Sequence, residues 1–400
     1  MFEPIRNQIK EYRHLHLSPS LISLYFNTIL RQIGGGLISL FGVIFFFEKL
    51  GNSIINVIIL FIINYLIYAS LLPISARLLK TLRIKKMMII ATPFLVLAIF
   101  SLYLWDIQPY LFLIFYLVFV VIFKLLFWVP YHVDFAEFTQ KSLRGRQMAF
   151  LFNISQVILT VTPIIGGFII FRFGYSDLFF IAAIILAVAI IPLFFVRETY
   201  EEYNFGYIET FRRLFSRKNR SFLIANVSNG VQQAIGIIIW PIFIFLLLKG
   251  EYLIVGIISS LAIMFLILIR FLVGNLLDRW SKDKVLKIGA FFYATGWILK
   301  IFVQSGFHIF LADTYHNFGR VIDKTAFDVV FYEQAAENKR YIDEYTVLRT
   351  IALNLGRVFM LLLSIPIIAF FGITATFIFA AIATLFMTVI TKKVVHVEQK

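Results

Sequence analysis

Apolar residues along this chain gather into long runs, each closed by a short cluster of charged, glycine or proline residues. A helix that crosses the roughly 30 Å hydrocarbon core of a bilayer needs about 20 mostly apolar residues. The runs at 20–47, 53–75, 86–105, 109–135, 147–171, 176–196, 221–248, 252–276, 285–304, 307–334, 345–371 and 374–391 meet that length or come close to it. The pattern predicts an all-α membrane protein of twelve transmembrane helices.

Composition strengthens this reading. The 400 residues are 60% hydrophobic and only 15% charged, against about 25% charged in an ordinary soluble chain. The 47 Phe are spread too widely to mark a ligand cage and read as solvent matching to lipid. The first twenty residues are polar and show no removable signal peptide. With no cysteine, disulfides and thiol chemistry are excluded.

The net charge of +15 is explained by position. If the N-terminus is cytoplasmic, 26 of the 37 Lys and Arg fall on inner segments, and only Lys49, Arg172 and Lys249 on the other side. The positive-inside rule then places both termini in the cytoplasm, in a multi-pass protein of the cell membrane. Nucleic acid is not needed as a partner.

The longest interruption, Arg197 to Arg220, follows six runs. It carries Ile208, Phe211 and Leu214 at helical spacing against Arg212, Arg213 and Arg217. It reads as a cytoplasmic amphipathic linker at 197–220, between an N-terminal bundle at 1–196 and a C-terminal bundle at 221–400. Phe2, Ile5, Ile9 and Tyr12 against Arg6, Lys10 and Arg13 give the N-terminal segment the same character.

Paired features recur about 200 residues apart. Arg31-Gln32 has its counterpart in Gln232-Gln233, Asn153-Ile-Ser-Gln156 in Asn354-Leu-Gly-Arg357, and Tyr131-His-Val-Asp134 in Val330-Phe-Tyr-Glu333. Six spans is an even number, so the halves start on one side and form parallel repeats about an axis along the membrane normal.

Gly274-Asn-Leu-Leu-Asp278-Arg279-Trp-Ser-Lys282 resembles the loop signature of the major facilitator superfamily. The first-half copy, Pro73-Ile-Ser-Ala-Arg77-Leu-Leu-Lys80, carries Arg77 where that family has the aspartate. Thr162-Pro163-Ile-Ile-Gly166-Gly167 resembles the proline–diglycine core of its antiporter motif, and Gln232-Gln233-Ala-Ile-Gly236 is similar to a seventh-span signature of its sugar porters. The family's arginine motif in the fourth span is missing. The resemblance implies two six-helix bundles, alternating access of the rocker-switch kind, and a pathway lined by spans 1, 4, 7 and 10.

A charge in mid-bilayer costs at least a few kcal/mol unless it meets a cavity or a partner. Arg31 sits in the first span, Lys124 in the fourth, and Asp313, His316, Arg320, Asp323, Lys324 and Asp328 in the tenth, where three- and four-residue spacing places Asp313, His316, Arg320 and the Asp323/Lys324 pair on one face. Asn229, Gln232 and Gln233 offer a neutral hydrogen-bonding wall on the seventh span. Arg31, Lys124, Arg320 and Lys324 against Asp323 leave a positive surplus, which suits an anionic or zwitterionic organic solute.

His316, Asp313, Asp323 and Asp328 are the candidates for proton coupling. Asp134, Glu333, Arg77, Gly274, Asp278 and Arg279 are assigned to the inner gates. The expectation is a monomeric symporter or antiporter, with a small solute and the bilayer as partners.

Three alternatives compete. A lipid or lysolipid flippase would use the same cations on headgroups, and a non-transporting receptor would bind without flux. A membrane-embedded enzyme would draw on the acyltransferase-like spacing of His308 and Asp313. No glycine-rich phosphate loop, metal cluster or nucleophile elbow is present, so no cofactor or metal is expected.

Overall fold

The computed structural model describes residues 17–139, 144–200, 203–277, 282–337 and 342–392. The N-terminal amphipathic segment, Asp278 and Arg279 lie outside them. The chain is helical, and no strand occurs among the described residues.

By packing it falls into two units. The first comprises Met1–Ser39 and Leu78–Glu202, the second Leu40–Arg77 and Tyr203–Lys400. The first unit holds α1 (Pro19–Ser39), α4 (Ile84–Tyr103), α5 (Pro109–Phe138), α6 (Arg144–Phe173) and α7 (Tyr175–Val188). The second holds α2 (Phe41–Lys49), most of α3 (Ile54–Leu82) and then α8 (Tyr207–Leu214), α9 (Arg220–Ala234), α10 (Trp240–Leu247), α11 (Tyr252–Leu277), α12 (Lys282–Ile301), α13 (Gly306–Glu337), α14 (Ile342–Phe371) and α15 (Thr376–Phe386).

Every apolar run predicted from the sequence coincides with one or two of these helices. Among the described residues, eight helical stretches are long and apolar enough to cross a membrane: Pro19–Lys49, Ile54–Leu82, Ile84–Tyr103, Pro109–Phe135, Asn153–Phe173, Tyr175–Phe195, Arg217–Leu247 and Asp343–Phe371. Tyr252–Ile267 and Ile373–Val389 are apolar but shorter. α12 and α13 fall outside that set because they carry charge along their length: Lys284, Lys287 and Lys300 on one, Asp313, Arg320, Asp323 and Lys324 on the other. Prolines 73, 93, 130, 163 and 366 sit inside helices, as spans tolerate when neighbours re-satisfy the freed carbonyls.

In the first unit α1 packs on α6 and α7, and α4 on α5 and α7. Small residues set the spacing: a Cβ on Gly34 would meet Leu186 at 2.8 Å, and one on Gly36 would meet Thr162 Oγ1 at 2.6 Å. Buried side chains then bridge helices, Asn27 Nδ2 donating to the Ala189 carbonyl at 2.6 Å and the Tyr25 hydroxyl to the Gln147 carbonyl at 2.7 Å.

The second unit follows the same rule more strictly. A Cβ on Gly230 would overlap the Leu353 carbonyl, and one on Gly356 the Val227 carbonyl, so α9 and α14 touch backbone to backbone. Gly289, Gly296 and Gly319 do the same between α12 and α13. Leu40–Arg77 joins this unit through Phe47 against Phe245 (6.5 Å between ring centres) and the Tyr252 hydroxyl donating to Glu48 at 2.6 Å.

The segment after α7 is ordered by local bonds. Glu209 closes a capping box on Gly206 and pairs with Arg213 at 2.7 Å, and α8 forms where the sequence predicts an amphipathic helix. Its buried face is Thr210 and Leu214. Ile208, which helical spacing assigns to that face, is 71% exposed. A helix of only two turns gives buried cover to one short stripe, and Ile208 falls beside it.

Candidate functional site

In the first unit, the site begins with Arg31. α1 carries it inward past the buried Asn27 and Thr28, and the guanidinium lies over three rings of α5: Phe127 at 4.3 Å, Trp128 at 4.9 Å and Tyr131 at 5.3 Å. The Tyr131 hydroxyl is shared with Thr28 Oγ1 at 2.8 Å, which fixes the ring. Among the described residues no carboxylate meets Arg31, and its Nε is buried without a hydrogen-bond partner. Stacking on aromatic faces leaves the edge of a guanidinium, where its donors point, open to a ligand. Lys124 is half-buried one turn ahead of Phe127 on α5. At the other end of that helix, Asp134 is fully buried and accepts a hydrogen bond from Thr199.

The second unit holds a longer network. Arg357 on α14 donates from Nη1 to Asn354 Oδ1 at 3.0 Å and from Nη2 to Gln233 Oε1 at 2.6 Å, and lies 4.9 Å from the centre of the Tyr65 ring. Gln233 and Gln232 both donate to Asn229 Oδ1, at 2.8 and 2.9 Å, and the Tyr293 hydroxyl donates to Gln232 Oε1. The expected polar wall of Asn229, Gln232 and Gln233 therefore exists, and it holds an arginine. All of these partners are neutral. The Nε of Arg357 is buried without a partner.

Directly after this wall the helix runs through a π turn, Ile235–Ile239, a distortion frequent at functional sites. It re-aims Trp240, whose Nε1 donates to Asp313 Oδ2 at 3.2 Å.

Asp313 also meets Lys300 Nζ at 2.8 Å. Lys300 is only 2% exposed, with its ammonium 4.0 Å from the Trp240 ring and 4.7 Å from that of Trp297. His316 is buried beside this pair, between Trp297 (4.4 Å) and Tyr293 (4.7 Å). The one face drawn for the tenth span is thus divided by packing. Asp313, His316 and Asp323 are buried against neighbouring helices, while Arg320 and Lys324 are exposed.

Lys300 was not singled out by the sequence, where it is a lone lysine in an apolar run. The signal that finds it is a charge that a buried partner must offset. The His308 and Asp313 spacing builds no acid–base dyad: Asp313 is held by Lys300 and Trp240, and His308 Nδ1 accepts from the Gln304 amide at 3.4 Å. Of the inner-gate residues, Arg77 donates from Nε to the Phe205 carbonyl at 3.4 Å. The side chains of Gly274's neighbours, Asp328 and Glu333 belong to helix segments whose side chains are not described, and Gly274 lies in one of them.

Beyond Phe205, the Asn204 amide and side chain both donate to Glu344 Oε1, at 3.1 and 3.3 Å, and Tyr203 shares a hydrogen bond with Thr210 at 2.7 Å. Burial raises the Tyr203 phenol above its ordinary pKa.

Bilayer-length helices carrying guanidinium groups on neutral partners define a multi-pass membrane protein. The description Major Facilitator Superfamily matches residues 24–314, and the chain belongs to that family. It is a transporter, not an enzyme. No curated protein matches the chain in sequence.

Among solved structures, similar folds include a POT family transporter in complex with 5-aminolevulinic acid (TM-score 0.69, 12% identity, 92% of this chain and 94% of that one). A peptide transporter POT in complex with sulfate is similar at TM-score 0.68 and 12% identity, over 94% of each chain. A bacterial homologue of the human drug peptide transporters PepT1 and PepT2 is similar at TM-score 0.67 and 12% identity, over 93% of this chain and 96% of that one.

Proposed function

We propose that the chain moves a small anionic or zwitterionic organic solute across the cell membrane by rocker-switch alternating access, with twelve spans in two six-helix bundles and both termini cytoplasmic. The observation that carries the solute class is that Arg31 rests on aromatic rings, and Arg357 on neutral amides and one ring, with no carboxylate among the described residues. A buried cation without an anion is costly, and an arriving carboxylate or phosphate removes that cost through a bidentate bond.

Lys124, Arg320 and Lys324 add to the attraction, His316 takes part in the same surroundings, and Asn229, Gln232 and Gln233 hold Arg357 in aim. Protons are the proposed coupling ion, with Asp313, Asp323 and Asp328 as the groups that exchange them. Arg77, Asp134, Gly274, Asp278, Arg279 and Glu333 are proposed for the inner gates, and the working form is a monomer. The similar transporters seen with 5-aminolevulinic acid and with sulfate hold ligands of this chemistry; at 12% identity the likeness speaks for the fold. No observation favours lipid flipping or a receptor without flux.

The test is uptake into proteoliposomes of anionic, zwitterionic, cationic and neutral solutes. Arg31→Ala, at normal membrane levels, is expected to lose uptake of the anionic substrate. Unchanged affinity of that variant for every transported solute would sink the reading.

A further inference from the structure

Three glycines hold α12 against α13 over 289–296 of the one and 316–323 of the other. Gly289 lies against the Asp323 backbone, Gly319 against Tyr293, and Gly296 against His316. Past Gly296 no glycine remains on α12. Toward the turn that joins the two helices lies a furrow of about 750 Å³, lined by Phe292, Phe302, His308, Leu311, Tyr315 and Phe318 among others. The lining is almost entirely carbon. Its side chains face outward, Phe302 being 68% and Leu311 48% exposed.

We propose that this furrow is a binding site for one acyl chain of a glycerophospholipid, in the leaflet opposite the cationic loop that precedes α12.

Three observations carry this. The first is length. From Phe302, just past the end of α12, to Phe292 on that helix, and from His308 to Phe318 on α13, the furrow follows ten residues, about 15 Å at 1.5 Å per residue, which is half of a roughly 30 Å hydrocarbon core. One leaflet's chain has that reach.

The second is the closed inner end. Phe292 wedges between Tyr315 (5.7 Å) and Phe318 (5.8 Å), and the Tyr315 hydroxyl is already bonded to Thr295 Oγ1 at 2.9 Å. A methyl terminus meets carbon there and no unsatisfied polar atom.

The third is the mouth. His308 Nδ1 accepts from the Gln304 amide, so the ring proton sits on Nε2. His308 is exposed at the start of α13, and its Nε2–H is a donor for a phosphodiester or a glycerol ester carbonyl. No carboxylate lines the furrow to repel a phosphate. The Lys300–Asp313 pair lies immediately behind, since Leu299 and Ala312 are also lining residues. A seated chain keeps water from that pair on its lipid side.

The experiment uses the full chain in bilayers containing a phosphatidylcholine with a diazirine near the end of one acyl chain. After illumination, adducts are mapped by mass spectrometry. Adducts at Phe292, Leu311, Tyr315 and Phe318 are expected to exceed those at Phe168 and Phe171 of α6, exposed residues that serve as reference, by about tenfold, the ratio that a site worth 1.4 kcal/mol produces.

Leu311→Trp fills the furrow from its exposed edge and is expected to abolish the excess while leaving the melting temperature and the α6 adducts unchanged. His308→Phe keeps the apolar wall and is expected to lower the excess for the phospholipid but not for a diazirine diacylglycerol. Equal labelling of furrow and reference, which marks ordinary annular lipid, would overturn the proposal. So would protection of the furrow by a second copy of the chain, seen as adducts that appear only on dilution of a dimer. If the variants unfold, the wild-type ratio decides alone.

Discussion

Lys300 Nζ stands 2.8 Å from Asp313 Oδ1 in the interior of the second unit, under the rings of Trp240 and Trp297. Taking two charges out of water offsets most of what their attraction returns, so the intact pair adds little net stability. Removing one partner is different, because the other charge stays buried.

Lys300→Met is therefore expected to lower unfolding stability in detergent by about 3–5 kcal/mol, and Lys300→Met with Asp313→Leu to recover most of the loss. Thermal or denaturant unfolding of the three proteins checks this. A double variant as unstable as the single one would show that the pair itself stabilises the fold.

The contact of α9 with α14 at Gly230 and Gly356 leaves no room for a Cβ. Gly356→Ala must push two backbones apart and is expected to cost about 1–3 kcal/mol. Gly35, inside α1, has nothing within 4 Å of its would-be Cβ. Gly35→Ala is expected to be neutral or to stabilise by up to about 1 kcal/mol, through helix propensity alone. Melting temperatures of the two variants should move in opposite directions or differ clearly in size.

Gln233 Oε1 is the acceptor that aims Arg357. In Gln233→Glu the same position becomes a carboxylate and pairs the guanidinium, taking the place proposed for the solute. Affinity for the anionic substrate is expected to fall by about tenfold or more, the scale of one charged hydrogen bond, with the melting temperature unchanged or higher. Substrate-induced thermal shift measures both quantities at once, and undiminished affinity would remove Arg357 from the solute site.

The chain between α7 and α8 is fixed by Asn204 on Glu344. Without that side chain, two hydrogen bonds are lost. Glu344→Ala is expected to raise the rate of tryptic cleavage at the exposed Arg212 and Arg217 by about tenfold, the equivalent of some 1.5 kcal/mol in local opening. An unchanged cleavage rate would mean that α8 is held by its own capping box.

Much of the fold was legible in advance. Each apolar run became helix, and within the amphipathic linker read at 197–220 the structure forms α8. The site was legible in part. Arg31, Asn229, Gln232 and Gln233 were found as intramembrane polar groups, and all take part in the two clusters. Lys300 escaped, and the stripe of Asp313, His316, Arg320 and Asp323 could not be divided, because helical spacing gives a face but not what packs against it. Ile208 shows the same limit at the surface.

The sequence by itself determined the membrane, the helices and the sign of the charge to be offset, since transfer of each segment into lipid depends on its own residues and length. Which cations are already paired was decided only by tertiary structure. Asp313 meets a lysine on the preceding helix, whereas Arg357 meets a glutamine 124 residues away, and in a low-dielectric interior a few ångströms between such groups separate a neutral pair from an uncompensated charge.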